Sequence, residues 1–239
     1  VRSRRQAIDR IESCIARHRI KCDFRRQPWA LYSIDGLPDE IAYIEAEYEA
    51  ALAAGLDARL ALDLPLPYMT RKAMVIPDQA QFNPFQYVRQ LAAAIDAPQC
   101  RLFEGSPVTA IDEQNGVVTT ASHTVRADHI VIATHTPKGI GMLQTELGAY
   151  REYAMAAELD HPALAGGIFW DIGRHPTSTR MAMIGGKPHV LLIGEKHKTG
   201  QDDDTDAAYR RLEDLLRARF KVDAPDYRWS AQHYRAADS

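Results

Sequence analysis

The 239-residue sequence predicts a mixed α/β fold, α+β in part, in which a partial α/β layer joins an antiparallel sheet with flanking helices. Three observations predict it. Apolar residues recur at helical spacing over 4–18, 84–95 and 204–220. A short run, HIVIAT at 129–134, is apolar without alternation, the pattern of a strand buried on both faces as parallel sheets require. Beyond it, segments at 152–159, 167–171, 179–184 and 190–193 are strand-like and separated by polar turns, which suits an antiparallel sheet.

The elements follow in order. Over 4–18, Ala7, Ile8, Ile11, Ile15 and Ala16 share one helical face, with Arg4, Arg5, Asp9, Arg10 and Glu12 on the other. Cys22 to Ile34 reads as a strand pair interrupted at Pro28. Asp39 to Ala54 reads as a helix opened by LPDE and closed by Gly55. LPLPY at 64–68 is an irregular arm, because its prolines lack donors and restrict the residues before them. Ala73 to Ile76 is a strand, QAQFN a turn, and Pro84 to Ile95 a helix with Asn83 as its N-cap. Arg101 to Glu104 is a short strand, and Val108–Asp112 with Val117–Ala121 form a hairpin across Gln114, Asn115 and Gly116. The 129–134 run then acts as an interior strand on a crossover; Pro137 and Gly139 end it. The last helix presents Tyr209, Leu212, Leu215, Leu216 and Phe220 on one face.

Composition narrows the function. A formal charge of −3 and 46% hydrophobic residues describe an ordinary globular chain and give no reason to expect a nucleic-acid or membrane-surface partner. Cys14, Cys22 and Cys100 have neither disulfide-framework nor zinc spacing, which fits a reducing cytoplasm and no metal. No apolar run approaches the length of a membrane span, and the first residues do not resemble an export signal. The absence of GxSxG and HExxH argues against serine hydrolases and zinc peptidases.

The succession QAQFNPFQYVRQLA, EGSPV, the hairpin, ADHIVIATHTP, GIFWD, GEKHKTGQ and YRWSAQHY resembles the D-amino-acid-oxidase-like family of FAD-dependent oxidoreductases over essentially the whole chain. It is most similar to bacterial members that often carry a Rieske iron–sulfur domain at the far carboxyl end. The resemblance implies FAD as cofactor, with Val108 near its adenine end and Ala133, Thr134 and His135 in a loop closing over it. It implies a partial FAD-binding layer with its helical part and arm at 1–72, a substrate-domain strand at 73–83, and the rest of the FAD-binding domain at 84–140. An antiparallel substrate domain would follow at 141–222, and a terminal strand at 223–239. The implied reaction is oxidation of a C–N bond in a small-molecule amine or amino acid, with electrons passing to oxygen or to an iron–sulfur partner.

The family's opening strand, GxGxxG turn and helix have no counterpart in these residues. Gly139, Ile140, Gly141 lacks the third glycine, and Gly185, Gly186 is a turn pair. The family's flavin-side segment after the tryptophan strand also has no counterpart. The expectation is a truncated piece of a longer enzyme, inactive alone, retaining FAD weakly or not at all, and open to pairing with a second copy across apolar surface. The alternative is a non-catalytic binding or interaction module of the same fold; a GxGxxG segment encoded just upstream would distinguish them.

No residue is assigned as catalytic, because flavin amine oxidation leaves the difficult chemistry to the cofactor. For substrate, Arg180 could hold a carboxylate in a bidentate fork, or be a solvated strand arginine. Phe169 and Trp170 could wall a pocket or be core. His197, between Lys196 and Lys198, could be an active-site base or a solvated loop residue. Tyr68, Gln81 and Asn83 could line the substrate side, although capping alone explains Asn83. Trp229 and Tyr234 are read as packing residues.

Overall fold

In a computed structural model of the chain, the described residues are 2–134, 147–160, 166–201 and 204–236. Helix α1 (Arg2–His18) ends in Arg17 and His18, cations that suit the negative end of its dipole. It is fastened to the first strand by Arg26, whose guanidinium reaches Asp9 at 2.7 Å and Glu12 at 2.6 Å.

Strand β1 (Arg25–Ser33) is one strand, not the pair expected over 22–34. Pro28 falls where the register shifts between Gln27 and Trp29, so its missing donor interrupts no ladder. Helix α2 (Pro38–Ala53) has Pro38 at its start and Asp39 and Glu40 in its first turn. Strands β2 (Arg59–Ala61) and β3 (Lys72–Gln81) follow. The turn expected at QAQFN is instead strand through Gln81, because Gln79, Ala80 and Gln81 pair with Gln27, Arg26 and Arg25. Asn83 caps α3 (Pro84–Ile95) as expected, its Oδ1 accepting from the Gln86 N–H at 3.0 Å.

Strands β4 (Val108–Asp112), β5 (Val117–Thr120) and β6 (Thr124–Arg126) make a separate three-stranded antiparallel meander. Its first turn needs glycine: Gly116 has φ +64°, and a Cβ there would stand 2.3 Å from the Ala127 carbonyl oxygen.

Strands β7 (Leu147–Glu158), β8 (Ile168–Asp171), β9 (Thr177–Ile184) and β10 (Lys187–Lys198) precede helix α4 (Thr205–Phe220) and strand β11 (Tyr227–Ala236). They do not stand apart from the earlier strands. One eight-stranded sheet runs β11-β7-β10-β9-β8-β1-β3-β2, and all its pairs are antiparallel except β1 with β8.

Two expected strands are not strands. Residues 101–104 are irregular, with Leu102 and Phe103 exposed. Residues 129–134 are irregular and belong to neither sheet, and Val131 is 86% exposed, so the interior parallel strand expected there is not formed. Apolarity gives a segment reason to be buried, but a strand also needs a neighbouring backbone for its donors and acceptors. His135 and the Gly139–Gly141 run lie outside the described residues.

The large sheet has two different faces. On one, α4 inserts Leu212, Leu216 and Phe220 against Tyr153, Met155, Val190 and Leu192, and this core continues through Tyr32, Val75 and Phe169. On the other, α2 covers only the β1–β3 end, through Ile44 and Ala51 against Leu31, Met74 and Ile76. No other helix among the described residues covers the remainder of that second face. No helix among the described residues is long and apolar enough to cross a membrane.

Candidate functional site

The open face holds a cavity of about 690 Å³ over β8, β9, β10, β7 and β11. Its floor follows from register. Leu31, Trp170, Ser178, Ile193, Ala154 and Trp229 are successive cross-strand partners and form one row on that face. Arg180 lies two residues along β9 from Ser178 and therefore points to the same side.

Two donors in this cavity are unusual. The Arg180 Nε–H and the Ser178 hydroxyl are buried without a hydrogen-bond partner among the described residues. Burial also pulls the Arg180 guanidinium below its ordinary pKa. Leaving a buried donor unpaired costs about 1–3 kcal/mol, so a group that satisfies both donors gains what the empty face forgoes. Lys196 and Arg235 add positive charge to the lining, and Glu152 faces His233 at 3.9 Å. Asp171, at the rim, is already neutralised from the other side by Arg219 at 2.5 Å. The cavity therefore suits an anion.

The expected site residues divide between the faces. Arg180 and Trp170 meet in the cavity, with Trp170 48% exposed and packed edge-on against Trp29 at 5.4 Å. Phe169, one residue earlier, is 2% exposed in the opposite core. Tyr68 is on the α4 side, where its hydroxyl meets that of Tyr32 at 2.9 Å and the Arg219 guanidinium lies 5.2 Å over its ring. Burial, the main cause, raises the pKa of both tyrosines. His197 packs its ring on Tyr153 at 5.6 Å, while Lys196 lines the cavity. Gln81 donates to the Met181 carbonyl at 2.7 Å, so it braces β3 against β9.

Val108, Ala133 and Thr134 are exposed, the first on the meander and the other two in irregular chain. Among the described residues, no helix opens on a GxGxxG turn: a single glycine, Gly36, precedes α2 at Leu37-Pro38, and α3 starts at Asn83-Pro84 and α4 at Asp204. They also hold no cluster suited to a metal.

Sequence reasoning missed Ser178, Lys196, Glu152 and His233, and read Trp229 as packing. Trp229 is 41% exposed and closes the far end of the cavity row. The available signal was the alternation of β9, which puts Ser178 with Arg180.

Comparison with known proteins agrees with this architecture. The glycine oxidase of Geobacillus kaustophilus superposes with a TM-score of 0.77 at 17% identity, over 99% of this chain and 66% of that one. The L-proline dehydrogenase of P. horikoshii gives 0.70 at 14% identity, over 96% and 66%. These likenesses establish the fold. A curated relative, the putative Rieske 2Fe-2S iron-sulfur protein YhfW of Bacillus subtilis (strain 168), is 29% identical over 234 residues, 95% of this chain but 45% of the relative. The chain thus spans less than half of that relative's length. The model of the FAD dependent oxidoreductase family, DAO, matches residues 1–239 in full, and the chain belongs to that family.

Proposed function

We propose that this chain carries the substrate-binding sheet and part of the cofactor-binding layer of an oxidoreductase that oxidises a C–N bond of an amino acid or amine. The observation that carries the reading is the pair of unpaired buried donors, Arg180 Nε and Ser178 Oγ, beneath a cationic cavity on the open face. Arg180 holds the substrate carboxylate, and Ser178 fixes its second oxygen. Trp170 and Trp229 border the site and limit water access to it. When bound, FAD supplies the hydride acceptor.

The residues present fit FAD unequally. The cationic open face suits the ring and substrate end, and the exposed Val108, Ala133 and Thr134 suit contacts along the cofactor. The described residues provide no GxGxxG turn at a helix start for the pyrophosphate; the turn before α2 has the single glycine Gly36, followed at Pro38 by a residue with no N–H to offer. Catalysis therefore needs a dinucleotide-binding turn from elsewhere in the parent protein, and this chain alone is inactive. The cofactor-layer and substrate-sheet divisions at 1–72, 73–83, 84–140, 141–222 and 223–239 belong to the same proposal. The name of the Rieske relative supports an iron–sulfur electron acceptor in the parent protein.

The test is a titration of the purified chain with propionate and with neutral propionamide, followed by tryptophan fluorescence, because Trp170 and Trp229 border the site. Propionate alone should bind, and Arg180→Met should abolish binding. Equal response to both ligands, or no change in Arg180→Met, would overturn the reading.

A further inference from the structure

A second cavity, about 610 Å³, lies beyond Trp170 on the same face of the large sheet, between α2 and the β1–β3 end. Trp170 lines both cavities, so the two are divided by one half-exposed indole. Helix α2 runs alongside both: Tyr43 borders the first, and Glu47, Ala50 and Ala54 border the second. The second cavity's floor is apolar, formed by Trp29, Met74 and Ile76, and its polar lining is Arg4 and Arg5, exposed on α1, with Glu47 of α2 and Gln79 of β3.

Register ties this groove to the anion site. Arg180 pairs with Ile168, Ile168 with Trp29, and Trp29 with Ile76, so all four stand in one row on one face. Three strand spacings of roughly 4.8 Å put the Ile76 end about 14 Å from the Arg180 backbone. An arginine extended along the row would cover nearly half of that distance, and Arg180 itself lines the first cavity. A ligand anchored at the guanidinium and lying along the row therefore brings a group a few bonds from its carboxylate onto Trp29 and Ile76. Ala50 and Ala54 keep the α2 wall low where that group would rest.

We infer that the groove of Trp29, Met74, Ile76, Ala50 and Ala54 is a side-chain recess, and that the preferred substrates are amino acids with a large apolar, aryl-bearing side chain. The carboxylate sits on Arg180, and the ring passes Trp170 into the groove with its face or edge on Trp29. This inference rests on Arg180 being the carboxylate site.

The experiment compares propionate with 3-phenylpropionate on the 239-residue chain by tryptophan fluorescence. It uses wild type, Ala50→Leu, Ala54→Leu and Arg180→Met, each first checked by thermal melting. Ala50 and Ala54 are exposed, so leucine there fills the groove without entering the core. Wild type should bind 3-phenylpropionate at least tenfold more tightly than propionate, about 1.4 kcal/mol. Either leucine variant should bring the two ligands together while propionate binding is unchanged. If propionate binds through Arg180 but the phenyl group adds nothing, or both leucine variants keep the preference, the recess is refuted and the carboxylate site stands. If Arg180→Met binds both ligands as wild type does, the carboxylate site fails and the recess fails with it.

Discussion

The Arg219 guanidinium, on α4, donates to the Asp171 carboxylate at 2.5 Å at the end of β8, and also to the Thr177 hydroxyl at 2.8 Å at the start of β9. Both charges are almost wholly withdrawn from water, at 11% and 3% side-chain exposure. This pair joins the helix-covered face to the strands that carry Trp170, Ser178 and Arg180. Removing one partner strands the other. Arg219→Met should destabilise the chain by about 3–5 kcal/mol, and the double variant Arg219→Met/Asp171→Asn should recover much of that loss. Urea unfolding of the four proteins in the cycle measures it; independent, additive losses would show that the two charges do not act as a pair.

Alkaline pH should unfold the chain through Tyr32 and Tyr68. Both phenols are buried and neutral, and burial raises their folded pKa above the unfolded value of about 10. The stabilisation is complete below that unfolded value and is lost as pH climbs towards the folded values, because only the unfolded chain then releases the protons. The urea midpoint should be flat from neutrality to about pH 9.5 and fall above it. A Tyr32→Phe/Tyr68→Phe chain should lose less over the same range. An equal fall in both would place the alkaline sensitivity elsewhere.

Gly116→Ala should loosen the meander and leave the large sheet intact. The substitution forces a Cβ onto the Ala127 carbonyl oxygen at a left-handed φ of +64°, a local cost of about 1–3 kcal/mol. Hydrogen exchange should quicken at residues 108–126 and stay unchanged in β7 and β10. Uniform acceleration across both sheets would mean that they unfold as one unit.

Much of this architecture is legible in residue patterns, and the failures have physical causes. The helices α1, α3 and α4 follow from apolar spacing, with Asn83 and Asp204 marking two starts, since these signals are local. The parallel contact between β1 and β8 joins residues more than a hundred positions apart, and no local pattern encodes it. The 129–134 run is apolar enough for a strand, but apolarity does not supply the neighbouring backbone a strand needs. Arg180 and Trp170 line the cavity while Phe169 turns into the opposite core, and the sequence does not separate Phe169 from Trp170 because alternation fixes that neighbours face opposite ways but not which way is the core. His197 was chosen over Lys196 for a similar reason: a register shift between Gly194 and His197, with Glu195 at φ +54°, intervenes before those side chains.

FAD should not stay with this chain. Incubation with excess FAD and desalting should leave no visible flavin absorption, because the described helix starts supply no phosphate cradle. Stoichiometric flavin after desalting would contradict the assignment of the chain alone as inactive.

The most direct test of the central claim is the unfolding free energy of Arg180→Met. A buried arginine with an unpaired Nε serves the ligand rather than the fold, so methionine of similar length should leave stability unchanged or raise it while carboxylate binding disappears. A loss of about 2 kcal/mol or more with binding retained would make Arg180 a structural residue and contradict the account.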